Sequence, residues 1–202
     1  MSTSQKIIFQ EDGSVCLEIN RIFLLWETKG FQIRDEDLMK FNPSMWISLP
    51  GELFPNHPCI KYKERLFTYS EINERANKLA WGLMNRGITK GTRVATLQHN
   101  SNQCIELFLA MWKSGIIMVP LNTRNSAKEN VDILMNSEAT VLIFGSEFID
   151  QIGSIRQALP SIREFICHGD HKGVFVDYES ILANSDLSEP NIEVEPVGMS
   201  GF

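Results

Sequence analysis

The stretch from Arg93 to Asn122 restricts the possible folds more than any other part of the chain. It opens with a short apolar run, Arg93-Val94-Ala95-Thr96-Leu97, and passes through a helix-length amphipathic segment to Gly115. It closes with Ile116-Ile117-Met118-Val119-Pro120-Leu121-Asn122. Two strand-length runs joined by a helix make a βαβ unit, because parallel neighbours need a crossover of a dozen or more residues. The rhythm continues downstream. Ser126-Ala127-Lys128-Glu129 starts a helix with a capping box, and Val131, Leu134 and Met135 face inward. Thr140 to Phe144 reads as a further strand, and Phe148, Ile149, Ile152 and Ile155 mark a third crossover helix. Ile162 to Cys167 is another strand and Tyr178 to Ala183 a last short helix. Right-handed crossovers give the expected fold class: α/β, a doubly wound parallel sheet with helices on both faces.

Upstream of that unit, Cys59 to Tyr62 and Leu66 to Thr68 flank Lys63-Glu64-Arg65, which predicts short antiparallel hairpin strands. Thr68-Tyr69-Ser70-Glu71 is a capping box: the Thr68 hydroxyl accepts from the Glu71 amide while the Glu71 carboxylate reaches back. Ile72, Ala76, Leu79, Ala80 and Leu83 recur at helical spacing behind it, and Gly87 can adopt the left-handed conformation that stops the helix. Asn100 is expected to cap the next helix with Gln103 as box partner, and Gly115 to end it. Residues 1–53 read as an N-terminal extension. Alternation around Asp12-Gly13 predicts a hairpin from Ile7 to Ile19, and prolines punctuate a loop-rich lead-in with a helical turn at Met45 to Ile47. Residues 54–183 form the α/β unit, and residues 184–202, rich in Asn, Ser, Asp, Glu and Pro, read as an acidic polar linker.

Composition narrows the function. The chain has 202 residues and 43% hydrophobic content, enough for a sizeable core. Its net charge of −6, with no basic cluster, argues against nucleic acid as a partner. Cys16, Cys59, Cys104 and Cys167 lie far apart without a Cys-x-x-Cys, the pattern of reduced thiols in a cytoplasmic protein. No apolar stretch approaches the roughly 20 residues of a transmembrane segment.

In combination these motifs resemble the N-terminal part of the adenylate-forming, AMP-binding superfamily, closest to its acyl-CoA synthetases. Phe67-Thr68-Tyr69-Ser70-Glu71-Ile72 is similar to the family's first core motif, followed by Asn77-Lys78-Leu79-Ala80. Gly91-Thr92-Arg93-Val94-Ala95 matches a Gly-Asp-Arg-Val-Ala motif with Thr92 in place of Asp, and Asn100-Ser101 an Asn-Ser step. Lys113-Ser114-Gly115 and Val119-Pro120-Leu121-Asn122 resemble the second motif, and Arg124 an Arg common after it. The resemblance implies a ligase that joins a carboxylic acid to CoA through an acyl-adenylate, using ATP and Mg²⁺. The family's phosphate-binding loop, rich in Ser, Thr and Gly and ending in Pro-Lys-Gly, has no counterpart here. This fragment is therefore expected to hold no cofactor and no catalytic residue, and to leave a surface that a protein partner or the missing subdomain covers.

The remaining residues with reactive side chains have structural readings. Thr68 and Glu71 are occupied as a cap, with Tyr69 inside the box. Lys113, beside a helix-ending glycine, reads as a solvated C-terminal cation. Asn122 and Arg124 follow a strand's carboxyl end, where open α/β sheets place ligands, yet Asn and Arg there commonly brace the loop. Cys167-His168-Gly169-Asp170-His171 reads as an exposed turn, since zinc requires more ligands than this run supplies. Cys104 reads as a small core residue and His99 as a loop residue.

Overall fold

The computed structural model describes residues 44–171, 173–190 and 192. The hairpin expected at Ile7 to Ile19 lies outside them. The described chain opens with α1 (Met45–Leu53), which runs past the expected turn and through Pro50. A proline at its sixth position removes only one intrahelical donor. Ile47 and Pro50 are both buried, with Ile47 in a small cluster beneath the hairpin. Strands β1 (Pro58–Tyr62) and β2 (Arg65–Thr68) then pair antiparallel.

Helix α2 (Tyr69–Asn85) begins on the box read from sequence: the Glu71 amide donates to Thr68 Oγ1 at 3.2 Å, and the Thr68 amide donates to Glu71 Oε2 at 2.8 Å. It ends on Gly87 at φ 76°, where the Ile88 amide donates to the Leu83 carbonyl at 3.0 Å and the Gly87 amide to the Met84 carbonyl at 2.9 Å. That pair of bonds is a Schellman stop.

From there strands and helices alternate as far as β6, which a second strand follows directly: β3 (Arg93–Leu97), α3 (Asn102–Ser114), β4 (Ile117–Pro120), α4 (Ala127–Asn136), β5 (Val141–Gly145), α5 (Ile149–Ile155), β6 (Glu164–His168), β7 (Val176–Asp177) and α6 (Tyr178–Ala183). The five strands β3 to β7 are parallel in the spatial order β4-β3-β5-β6-β7. The two-residue β7 was not foreseen. Alternation along the strands divides the core in two. Val94, Val141, Ile143 and Ile166 pack under α2, α3 and α6. Ala95, Leu97, Leu142, Phe144 and Phe165 pack under α4 and α5. The sheet is therefore covered on both faces, as expected.

Edge strand β4 donates from Ile117 to the Thr92 carbonyl at 2.9 Å and from Leu121 to the Thr96 carbonyl at 2.8 Å. The intervening even-numbered residues, Pro120 among them, turn their amide positions away from the sheet.

Gly115 ends α3 in the left-handed region at φ 70°, ψ 18°. A Cβ there would also lie 2.8 Å from Lys90 Cγ. Gly115→Val is expected to cost on the order of 1–2 kcal/mol, because a β-branched side chain resists positive φ. Urea unfolding checks this, and an unchanged midpoint refutes it.

Candidate functional site

In a sheet of this order, connections depart in opposite directions from β3 and β5, and the crevice outside their carboxyl ends is the usual ligand position. The residues delivered there brace one another. The Arg124 amide donates to Asn122 Oδ1 at 2.9 Å, so Asn122 closes its own loop, and both residues are exposed. The His99 ring lies against Phe148 with centroids 5.3 Å apart. Over buried Gly145 folds Glu147, whose carboxylate would stand within 2.3 Å of any Cβ. Gln98 in the same crevice has both amide atoms buried and without a hydrogen-bond partner.

Two expectations need correction here. Asn100 is exposed and does not cap α3. The cap is Ser101, whose Oγ accepts from the Cys104 amide at 3.2 Å. Neighbouring Asn and Ser can each fill this role, so the motif alone could not choose between them. Nor is the Cys167 to His171 run an exposed turn throughout. Cys167 and His168 are buried in β6, and the chain turns only at Gly169, φ 90°. Burial holds His168 below the usual imidazole range and pushes the Cys167 thiol up to about 12. His171 Nε2 meets Asp177 Oδ1 at 3.1 Å. Among the described residues no group of three or more His, Cys, Asp or Glu side chains is placed to hold a metal ion.

The strongest polar constellation lies on the α2–α3–α6 face and was not read from the sequence. Glu106, in the middle of α3, is fully buried. Arg75 Nε donates to its Oε1 at 2.7 Å and Arg75 Nη2 to its Oε2 at 3.0 Å. Asn102 Nδ2 donates to Oε1 at 2.7 Å and the Tyr178 hydroxyl to Oε2 at 2.9 Å. Arg75 also forks onto Glu179, at 2.7 and 3.1 Å. Burial opposes the Arg75 charge, but the bonds to Glu106 and Glu179 outweigh it and hold the guanidinium above its ordinary range. Burial first, then the Glu106 charge, pushes the Tyr178 phenol well up. Arg75, Asn102 and Glu179 line an open groove of about 510 Å³ together with Tyr62, Lys63 and Gln103. Arg75 is committed to two carboxylates, so it clamps three helices and offers the groove no spare cation. A signal for this cluster existed: Glu106 and Lys113 are the only charges in α3.

Lys113 is the third correction. It is buried, with its side chain fully enclosed, and pairs with Glu189. The expectation of solvent failed because residues 187–189 return across α2 and α3 and cover it. Burial holds the Lys113 ammonium below the usual range, and the Glu189 carboxylate offsets part of that. The other motif residues are backbone-serving. Tyr69 opens α2, its amide donating to the His57 carbonyl at 3.1 Å, and burial pushes its phenol up. Pro120 closes β4 at the exposed sheet edge.

Comparison with known proteins gives this arrangement a family. The family model for AMP-binding enzymes matches residues 51–193. A 3-oxocholest-4-en-26-oate–CoA ligase of Rhodococcus rhodochrous is 27% identical over 140 residues, which are 66% of this chain and 25% of that protein. A crotonobetaine/carnitine–CoA ligase of Salmonella paratyphi A is 35% identical over 103 residues, 51% of this chain and 20% of that protein. Among solved structures, the N-terminal domain of FACL13 from Mycobacterium tuberculosis superposes with a TM-score of 0.67 at 29% identity, covering 76% of this chain and 38% of that one. The chain thus spans a fifth to a quarter of those two relatives' length. It belongs to the AMP-binding enzyme family, and its described residues form the N-terminal AMP-binding subdomain found in acyl-CoA ligases.

Proposed function

We propose that this chain is the N-terminal unit of a cytoplasmic, ATP-dependent acid–CoA ligase, with residues 54–183 as its α/β scaffold. The complete enzyme would join a carboxylic acid to ATP as an acyl-adenylate, release pyrophosphate, and pass the acyl group to the CoA thiol. One observation carries the reading: the family match runs over residues 51–193, and the parallel sheet it implies is the sheet that forms. No helix among the described residues is long and apolar enough to cross a membrane. Sequencing the coding DNA beyond Phe202 tests the reading. An in-frame run of Ser, Thr and Gly ending in Lys supports it, and a stop codon with no such run removes it.

Among the described residues, the loop after β3 does not fit the phosphates of ATP, and no acidic cluster is placed to hold a Mg²⁺ ion. Such groups want a glycine-rich loop of free amides and a lysine. Here the loop after β3 is Gln98-His99-Asn100-Ser101, and one of the following amides is already capped by Ser101. No step through those groups is assigned to these residues. The chain alone is therefore expected to make no acyl-adenylate. With ATP, Mg²⁺ and a panel of fatty and aryl acids, pyrophosphate release should equal the enzyme-free blank, and release above it refutes the expectation.

A second reading, a non-catalytic module that pairs with a full-length synthetase or another protein, draws on one surface. Phe108 and Trp112 of α3 are 37% and 36% exposed, and Trp46 of α1 stands edge-on to Trp112 with centroids 6.5 Å apart. Exposed clusters of this kind favour association. Light scattering after size exclusion decides: a monomer that binds no apolar dye counts against this reading.

A further inference from the structure

Past α6 the chain turns back, and residues 185–189 lie as a strap across α2 and α3. Two of its contacts ignore side-chain identity. Asn77 Nδ2 donates to the Leu187 carbonyl at 3.0 Å, and Trp81 Nε1 donates to the Ser188 carbonyl at 2.9 Å. Every residue offers a carbonyl, so these bonds hold a backbone without choosing which residue sits where. The third contact does choose. The enclosed Lys113 ammonium meets the Glu189 carboxylate. A buried ammonium requires an acceptor, preferably an anionic one, and a slip of one position would offer it Ser188 or Pro190 instead.

Gly82 completes the track. A Cβ there would stand 2.7 Å from Ser185 Oγ, so the strap begins where α2 has no side chain.

We propose that Lys113 is a positioning residue that pins this strap in one register, and so fixes where the polypeptide departs toward the rest of the ligase. The proposal rests on the ligase reading for its purpose, but not for its mechanics. Stability alone gives a poor reason for the pair. Taking the Lys113 ammonium out of water costs about as much as its attraction to the 44% exposed Glu189 side chain returns, and an apolar side chain of similar volume is often as stable or more so. Registry is the best-attested use of such a group.

The experiment is hydrogen–deuterium exchange of the 202-residue chain, read at the amides of residues 184–189, alongside thermal unfolding. Lys113→Met is expected to melt at or above the parent while the strap exchanges about tenfold faster. Glu189→Gln is expected to loosen the strap as much and also to lower the melting temperature, because a buried ammonium loses its partner. The opposite directions in melting, with the same direction in exchange, are what a merely stabilising role would not produce. Unchanged strap exchange in Lys113→Met overturns the proposal, as does loosening no greater than a lowered melting temperature accounts for. Sequencing beyond Phe202 is independent of both readouts: if it removes the ligase, the pin stands or falls on exchange alone.

Discussion

Glu106→Ala is expected to lower the unfolding free energy by on the order of 3–5 kcal/mol, the cost of breaking a buried ion pair from one side. The carboxylate accepts from Arg75, Asn102 and Tyr178, all on the face shared by α2, α3 and α6. Alanine would leave a phenol with no acceptor in a fully buried place, and a guanidinium with half its partners gone. Leaving buried donors unmade costs more than the bonds return when made. Against the roughly 5–15 kcal/mol that separates most domains from unfolding, this is a large share. Glu179→Ala is the internal control. That side chain is 50% exposed, so its loss from the same guanidinium should cost about 1 kcal/mol or less. Urea unfolding of both variants checks the pair, and equal losses would mean that Glu106 is not the keystone.

Gly82→Ala is the second large effect, and its sign opposes helix propensity. In an exposed helix interior, alanine is better than glycine by about 1 kcal/mol. At Gly82 the new Cβ would stand 2.2 Å from Ile181 Cγ2 and 3.2 Å from the Ile181 carbonyl oxygen, so α6 must shift away from α2. Overpacking of this kind costs about 1–3 kcal/mol, and the net change should be a loss. Gly153 in α5 supplies the contrast, since a Cβ there meets nothing within 4 Å. Gly153→Ala should therefore stabilise by about 0.5–1 kcal/mol. Thermal unfolding of the two alanine variants should move in opposite directions. If both rise, the close approach of α6 is not what Gly82 serves.

These expectations turn on residues that differ in how readable they were. The capping boxes at Thr68–Glu71 and Ser126–Glu129, the glycine stops at Gly87 and Gly115, and the alternating strands depend on neighbours within a few positions. Their physics is written in consecutive letters. Glu106 depends on Arg75 and Tyr178, 31 and 72 residues away, and Lys113 on Glu189, 76 residues away. No local pattern ties such groups together. A charged residue in an apolar helix signals that a partner exists without saying which. The shift of the α3 cap from Asn100 to Ser101 is the opposite case: the local signal was present twice, and Ser101 is the copy whose hydroxyl meets the Cys104 amide. Strand β7 was missed for a third reason, since two residues carry no periodicity at all.

Pro120 has a consequence for how the sheet meets other chains. Along the outer margin of the sheet, one of the two outward-facing amide positions of β4 is held by Pro120, which has no donor. The opposite margin, β7, is two residues long and gives a newcomer almost nothing to zip onto. A sheet with open, well-formed borders is exposed to strand addition from other chains. Among the described strands, both borders of this sheet therefore offer an incoming strand little to pair with.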